Sequence, residues 1–161
     1  MISWSFLIYC FLPLISTVLT DSCADGWVNA SHYGLGCLYI NHDSARSWED
    51  TAIFCQEEKN ATLLEMENYE QLQFLMGILN QEGGIDNRSF AYWTAGTDIG
   101  REGKWIWQGS LRPVPEEIWH VNFPMWGITA NCLSLEPVYN YSFDGMEADC
   151  NEDNYTICQK R

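Results

Sequence analysis

Cysteine, histidine and carboxylate side chains are the groups of this chain that could take part in chemistry. Six cysteines follow Cys10, and an even number suits disulfide bonds in an oxidising compartment: Cys23, Cys37, Cys55, Cys132, Cys150 and Cys158. Six cysteines allow fifteen pairings, and the sequence alone does not choose among them. No Cys-x-x-Cys pair is present, which disfavours a zinc site.

Catalytic chemistry finds little support in the sequence. His32, His42 and His120 show no spacing that is typical of a catalytic triad. Neither a Gly-x-Ser-x-Gly turn nor a glycine-rich phosphate loop is present. The paired catalytic groups that a secreted hydrolase needs cannot be assembled, so we expect no enzyme.

Five Asn-x-Ser/Thr sequons offer acceptor sites for N-linked glycans if the chain is secreted. Asn60 and Asn87 lie in polar turns and are the best candidates, whereas Asn154 lies close to the predicted last strand. The full set is Asn29, Asn60, Asn87, Asn140 and Asn154.

Residues 1–20 contain no charged side chain and are rich in Leu, Ile, Phe and Val, as in a signal peptide. The rival interpretation is a signal anchor, which Pro13 and the immediate start of the domain disfavour. We therefore expect a secreted, extracellular protein with no membrane span after cleavage. The net charge of −14 disfavours nucleic acid as a partner, because phosphate binding needs a basic surface.

Three tryptophans predict the centre of the hydrophobic core. Trp105 and Trp107 are two residues apart, so on a strand both indoles face the same side. Gly103 and Gly109 supply the turns that bound this strand, and Trp93 ends an apolar run of its own. Each indole can bury about 150–250 Å², and the alternation favours core packing over stacking on a ligand.

Two helices are predicted from their caps and apolar spacing. Ser47 caps the first, with Asp50 as its capping-box partner, and the apolar face consists of Trp48, Ala52 and Cys55. Asn68 caps the second, and its apolar stripe consists of Tyr69, Leu72, Leu75, Met76 and Leu79. A short hairpin is expected within residues 23–37, and strands are expected at 38–40, 132–135 and 155–158.

Residues 111–131 form a long stretch that contains Pro113, Pro115 and Pro124. Proline removes backbone donors and fixes φ, so we expect a loop rather than regular structure. Loops of this length without secondary structure are usually functional.

The central stretch resembles the signature of the C-type lectin-like domain. Its motifs are Trp93-Thr-Ala-Gly96, Glu102-Gly103 and Trp105-Ile-Trp107 followed by Gly109, and Trp48-x-x-x-Ala-x-x-Cys55 is similar to the first helix of that family. The resemblance implies an α+β fold of the longer form over residues 23–160, with two helices, antiparallel sheets in a mixed arrangement and a long ligand-binding loop. It also implies three disulfides, Cys23–Cys37, Cys55–Cys158 and Cys132–Cys150.

The sugar-binding calcium site of that family is largely absent from this sequence. Sugar-binding members place Glu-Pro-Asn or Gln-Pro-Asp in the long loop and Trp-Asn-Asp before the fifth framework cysteine. The corresponding residues here are Phe123-Pro124-Met125 and Gly145-Met146-Glu147, and a further acidic position is Ala130. Only Glu147 keeps an oxygen, whereas calcium takes about six to eight. No cofactor is predicted, and calcium is not expected at the sugar-binding site.

A second calcium site of the family would use Asp98 and Glu102, to which Asn131 could add an amide oxygen. The remaining loop carboxylate of that site falls on Trp126. The interpretation favoured here is that Asp98 and Glu102 are solvated or bond nearby backbone. The candidate metal ligands are therefore Asp98, Glu102, Asn131 and Glu147.

The expected function is recognition of an extracellular glycan or protein ligand, and the resemblance implies carbohydrate binding with innate defence as one setting. The alternative is a protein–protein or surface-interaction module of a toxin-like, reproductive or mineral-associated kind. The candidate contact residues His120, Phe123, Met125 and Trp126 would either form an apolar patch or fill a small core of the loop. Phe123–Pro124 is predicted to be cis, as the loop proline commonly is in the family. The oligomeric state is not predicted.

Overall fold

Strand β4, Tyr92–Thr97, lies at the centre of the structure, and all six of its residues are buried. The computed structural model describes residues 22–82, 91–125, 129–138 and 142–161. Over these ranges the chain forms, in order, β1 (Val28–Ala30), β2 (Gly36–Arg46), α1 (Trp48–Glu57), β3 (Thr62–Leu63), α2 (Tyr69–Glu82), β4, β5 (Ile106–Trp107), β6 (Cys132–Val138), β7 (Ser142–Ala148) and β8 (Asn154–Lys160), with 3-10 turns at Ser31–Tyr33 and Glu116–Ile118.

The strands of the described ranges form one mixed sheet in the order β1-β2-β8-β4-β6-β7. Strand β3 pairs with β8, and β5 pairs with β4. The pairs are antiparallel except for β4 and β8, which run parallel with Tyr92 opposite Tyr155. The predicted α+β fold with two helices and a mixed arrangement of strands is confirmed.

Helix α1 begins at the predicted cap. The Ser47 hydroxyl accepts a hydrogen bond from the Asp50 amide at 3.2 Å and donates one to Asp50 Oδ2 at 2.8 Å. The first turn of the helix is bonded to β4, because Trp48 Nε1 donates a hydrogen bond to the Thr94 carbonyl at 2.8 Å. Of the predicted apolar face, Trp48 and Cys55 are buried and Ala52 is half-buried.

Helix α2 is also capped as predicted, since Asn68 Oδ1 accepts a hydrogen bond from the Gln71 amide at 3.0 Å. Its apolar stripe is shorter than predicted. Tyr69, the first residue of the helix, is 42% exposed, whereas Leu72, Leu75 and Leu79 are buried. The stripe therefore starts one turn later than the spacing indicated.

The tryptophans of the central stretch are core residues, as predicted. Trp93, Trp105 and Trp107 are all buried. Trp93 Nε1 donates to the Arg46 carbonyl at 2.8 Å, which satisfies its polar group inside the core.

Three disulfides cross-link the fold: Cys23–Cys37, Cys55–Cys158 and Cys132–Cys150. These are the pairs that the resemblance implies. The second bond joins α1 to β8 across 103 residues of sequence, so it closes most of the domain. Among the described residues, no helix is both long and apolar enough to cross a membrane.

Candidate functional site

The long loop after β5 is fixed at its base against β7. The His120 amide donates a hydrogen bond to the Gly145 carbonyl at 2.9 Å, and Trp119 forms a parallel β-bridge with Gly145. The Trp119 indole meets Trp105 edge-on, with ring centroids 4.8 Å apart. The base of the loop is therefore held by backbone bonding on one side and by core packing on the other.

At Gly145 the long loop and β7 lie too close together for a side chain to fit between them. A Cβ atom at this position would lie 2.8 Å from the Ile118 carbonyl oxygen, well inside van der Waals contact. The position aligns with the tryptophan of the family's Trp-Asn-Asp triplet. Glycine here lets the long loop rest directly on the strand.

His120 also bonds to β7 through its side chain. Its Nδ1 lies 2.8 Å from Asp144 Oδ2, and both side chains are half-buried. Ser142 donates to the other Asp144 oxygen at 3.4 Å. Asp144 was missed by the sequence analysis, although it immediately precedes the triplet that aligns with the family's second ligand motif.

A tight turn follows His120. The Phe123 amide donates to the His120 carbonyl at 2.9 Å, and Asn122 adopts a left-handed conformation with φ of 75°. The Phe123–Pro124 peptide bond is cis, as predicted. The turn therefore brings the candidate residue Phe123 back toward His120, with their ring centroids 6.0 Å apart.

The turn and the residues after it carry exposed apolar side chains. Val121 is 70% exposed and Met125 is 61% exposed, while Phe123, which lies between them in sequence, is half-buried. We call these three residues the apolar tip. Trp126, the remaining candidate of the loop, lies outside the described residues.

Among the residues that align with the family's calcium-bridged sugar site, only Glu147 has a side-chain oxygen. Glu147 is half-buried in β7, opposite Leu133 of β6. The other positions that align with this site are Met146, Ala130, Phe123 and Met125, none of which has a side-chain oxygen. One carboxylate does not replace the water shell of calcium, which takes about six to eight oxygen ligands.

The side chain of Asp98 stabilises the turn between β4 and β5. The residue is buried, and its Oδ2 accepts a hydrogen bond from the Gly103 amide at 2.7 Å. Its Oδ1 is buried without a hydrogen-bond partner, and its amide donates to the Asn131 carbonyl at 3.2 Å. Glu102 is exposed. In the described part of the chain, no group of three or more His, Cys, Asp or Glu side chains is placed to hold a metal ion.

The sequons differ in how their acceptor nitrogens are placed. Asn29 and Asn60 are exposed, whereas Asn154 Nδ2 is buried. The Nδ2 atom receives the glycan, so this burial does not favour Asn154 as an acceptor. Asn87 and Asn140 lie outside the described residues.

The fold and the long loop after β5 together indicate the class of protein to which this chain belongs. An α+β domain with three disulfides, whose long cis-proline loop rests on a hairpin of the central sheet, is a recognition domain of the C-type lectin fold. The family model described as Lectin C-type domain matches residues 44–160, and this chain belongs to that family. Membership indicates carbohydrate or other ligand recognition on a non-enzymatic lectin fold.

Individual relatives share the domain rather than the whole protein. The CD209 antigen of Symphalangus syndactylus is 31% identical over 127 residues, which cover 77% of this chain and 30% of that protein. The C-type lectin domain of murine dendritic cell inhibitory receptor 2, solved in complex with N-glycan, has a TM-score of 0.71 at 20% identity and covers 87% of this chain and 99% of that one. Human lithostathine has a TM-score of 0.71 at 21% identity, covering 87% and 91%. These two structures show the fold alone.

Proposed function

We propose that this chain is an extracellular ligand-recognition domain that binds through the apolar tip of its long loop, without a calcium-bridged sugar. The observation that carries this proposal is the exposure of Val121 and Met125 on a loop whose base is fixed to β7. Exposing apolar side chains to water is unfavourable, so two strongly exposed apolar side chains close in sequence on a loop with a fixed base favour a contact surface.

The chemistry of the tip suits a ligand with an apolar face. Methionine is flexible and polarisable and adapts to irregular surfaces, while the half-buried Phe123 ring can pack against the flat face of a sugar or against another side chain. His120 and Asp144 add polar groups at the base of the loop. A glycan that offers one apolar face and hydroxyls at its edge matches this arrangement, and the N-glycan bound by murine dendritic cell inhibitory receptor 2 supports carbohydrate as the ligand class.

The extracellular location is part of the proposal. Three disulfides are characteristic of oxidising compartments. Removal of residues 1–20 as a signal peptide and N-glycosylation at the exposed Asn29 and Asn60 would follow from the same route.

The second candidate function is binding to a protein or another extracellular surface without sugar recognition. The same exposed Val121 and Met125 favour it, because apolar contacts with a methionine anchor are common in protein interfaces. The two candidates predict different binding partners for one surface.

A glycan array and a pull-down with the secreted protein separate the two candidates, and two substitutions locate the surface. Met125→Ala should reduce the signal at least five-fold, because it removes an anchor at the tip. Ile99→Ala, which removes a similarly exposed side chain from the turn after β4, should leave binding unchanged. Glycan signal that depends on Met125 supports carbohydrate recognition, and protein capture alone supports the second candidate. Binding that is insensitive to Met125→Ala would show that the tip is not the contact surface.

A further inference from the structure

A groove with a volume of about 570 Å³ has a lining that includes no residue of the apolar tip. It is bounded by the last turn of α1, by β3, by the turn after β5 and by the end of β8, and its lining includes Asn60, Thr62, Glu65 and Ser110. This volume lies within the range of about 300–1,000 Å³ that is usual for sites of small ligands. No residue of the apolar tip belongs to its lining, so the groove is a separate feature of the molecule.

Glu65 provides a built, polar wall for the groove. The residue is only 6% exposed, and its Oε1 accepts hydrogen bonds from the amides of Gly109 at 3.0 Å and Ser110 at 2.9 Å. Its own amide donates to Gln159 Oε1 at 3.0 Å. Because both amides bond to Oε1, Oε2 is left as an acceptor for a ligand hydroxyl.

A glycosylation sequon lies on the rim of this groove. Asn60 and Thr62 are the acceptor and hydroxyl positions of Asn60-Ala61-Thr62, and all three residues line the groove. Asn60 is exposed and adopts a positive φ of 49° after the end of α1. We propose that the groove seats the N-linked glycan of Asn60, so that the first sugars of that glycan lie against Glu65 and Ser110.

A tethered sugar needs only weak contacts to occupy such a site. A short flexible link holds the attached sugar at an effective concentration in the millimolar range near the groove. A groove that binds a free sugar too weakly to be filled in solution is therefore filled by a sugar attached beside it. The chemistry of the walls is suitable, because Glu65 and Ser110 offer partners to sugar hydroxyls and the Ala61 methyl group offers an apolar contact to an N-acetyl group. Arg161 also lines the groove, and its guanidinium donates a hydrogen bond to the Glu65 carbonyl at 3.3 Å.

The proposal rests on the secretory route included in the proposed function, and its test uses the full chain secreted from a eukaryotic host. Glycopeptide mass spectrometry measures occupancy at Asn60 and Asn29, and timed digestion of the native protein with peptide N-glycosidase measures release at each site. Asn29 is the internal control, because it is exposed on β1 and does not line the groove. Release from Asn60 should be at least ten-fold slower than from Asn29 in the native protein and equal to it after denaturation.

Hydrogen exchange provides the second readout. Asn60→Gln should speed amide exchange at Gly109 and Ser110 at least three-fold, because the covering glycan is lost, whereas Asn29→Gln should leave it unchanged. Equal native release rates, unchanged exchange in Asn60→Gln, or an unoccupied Asn60 beside an occupied Asn29 would each overturn the proposal. If neither site is occupied, the groove proposal fails and so does the glycosylated secretory route, while binding at the apolar tip is still measured separately by Met125→Ala.

Discussion

At the scale of single residues, Gly145 shows how one substitution relative to the family's pattern changes the site. The position that aligns with a tryptophan carries no side chain, and the Ile118 carbonyl occupies the space that a Cβ would need. The side chains of His120 and Asp144 also contact each other where the loop lies on β7. The base of the loop is thus held to β7 by the protein's own groups.

Gly145→Ala should destabilise the fold by about 1–3 kcal/mol, because the new methyl group forces the loop away from β7. Gly77→Ala is the matched control. Gly77 lies exposed in α2 with nothing within 4 Å of a built Cβ, so that change should stabilise by about 0.5–1 kcal/mol. Chemical denaturation measures both, and a neutral or stabilising Gly145→Ala would contradict the close approach.

The candidate site could be predicted in part at this scale. The cis bond at Phe123–Pro124 agrees with the prediction drawn from the family resemblance. The exposure of Met125 favours an apolar patch over a loop core, two alternatives between which the sequence did not decide. The partnership of His120 with Asp144 could not be predicted, because it joins residues 24 apart whose contact depends on how the loop folds back. Spacing in sequence carries no signal for such a pair.

At the scale of elements, local signals predicted the helices well. Ser47 and Asp50 form the cap that their spacing indicates, since capping depends on residues within one turn. Strand β7 was not predicted. Its Asp144, Gly145 and Glu147 are weak strand formers, and the strand exists because the whole of β6 pairs with it.

Ser47→Ala should cost about 1 kcal/mol of unfolding free energy, because the Asp50 amide loses its acceptor at the helix start. Ser47→Thr keeps a hydroxyl at the cap and should lose less than half as much. Thermal and urea unfolding of the two variants tests this, and equal losses would show that the cap does not stabilise α1.

At the scale of the whole molecule, the disulfides reduce the number of conformations open to the unfolded chain. This matters in a domain that contains a long irregular loop. Cys55–Cys158 spans 103 residues, whereas Cys132–Cys150 spans 18. Cross-linking a longer loop removes more conformational entropy from the unfolded state, about 4.7 kcal/mol for 100 residues against about 3 kcal/mol for 15.

Replacing both cysteines of the Cys55–Cys158 bond by alanine should therefore destabilise the domain more than replacing Cys132 and Cys150, by about 1–2 kcal/mol. Burial adds only a little to the difference, because Cys55, Cys158 and Cys132 all lie in the core and only Cys150 is half-buried. Denaturant unfolding of the two double variants gives the comparison, and the opposite order would contradict the assignment of the long-range bond as the main cross-link.

One glycan array, probed in calcium and again in chelator, tests whether recognition runs through the apolar tip and not through calcium. We predict the same glycans at the same signal in both conditions, because Phe123 and Met125 align with positions where a calcium-bridged site would need oxygen ligands. Signal that appears in calcium, disappears in chelator and is abolished by Glu147→Gln would contradict it.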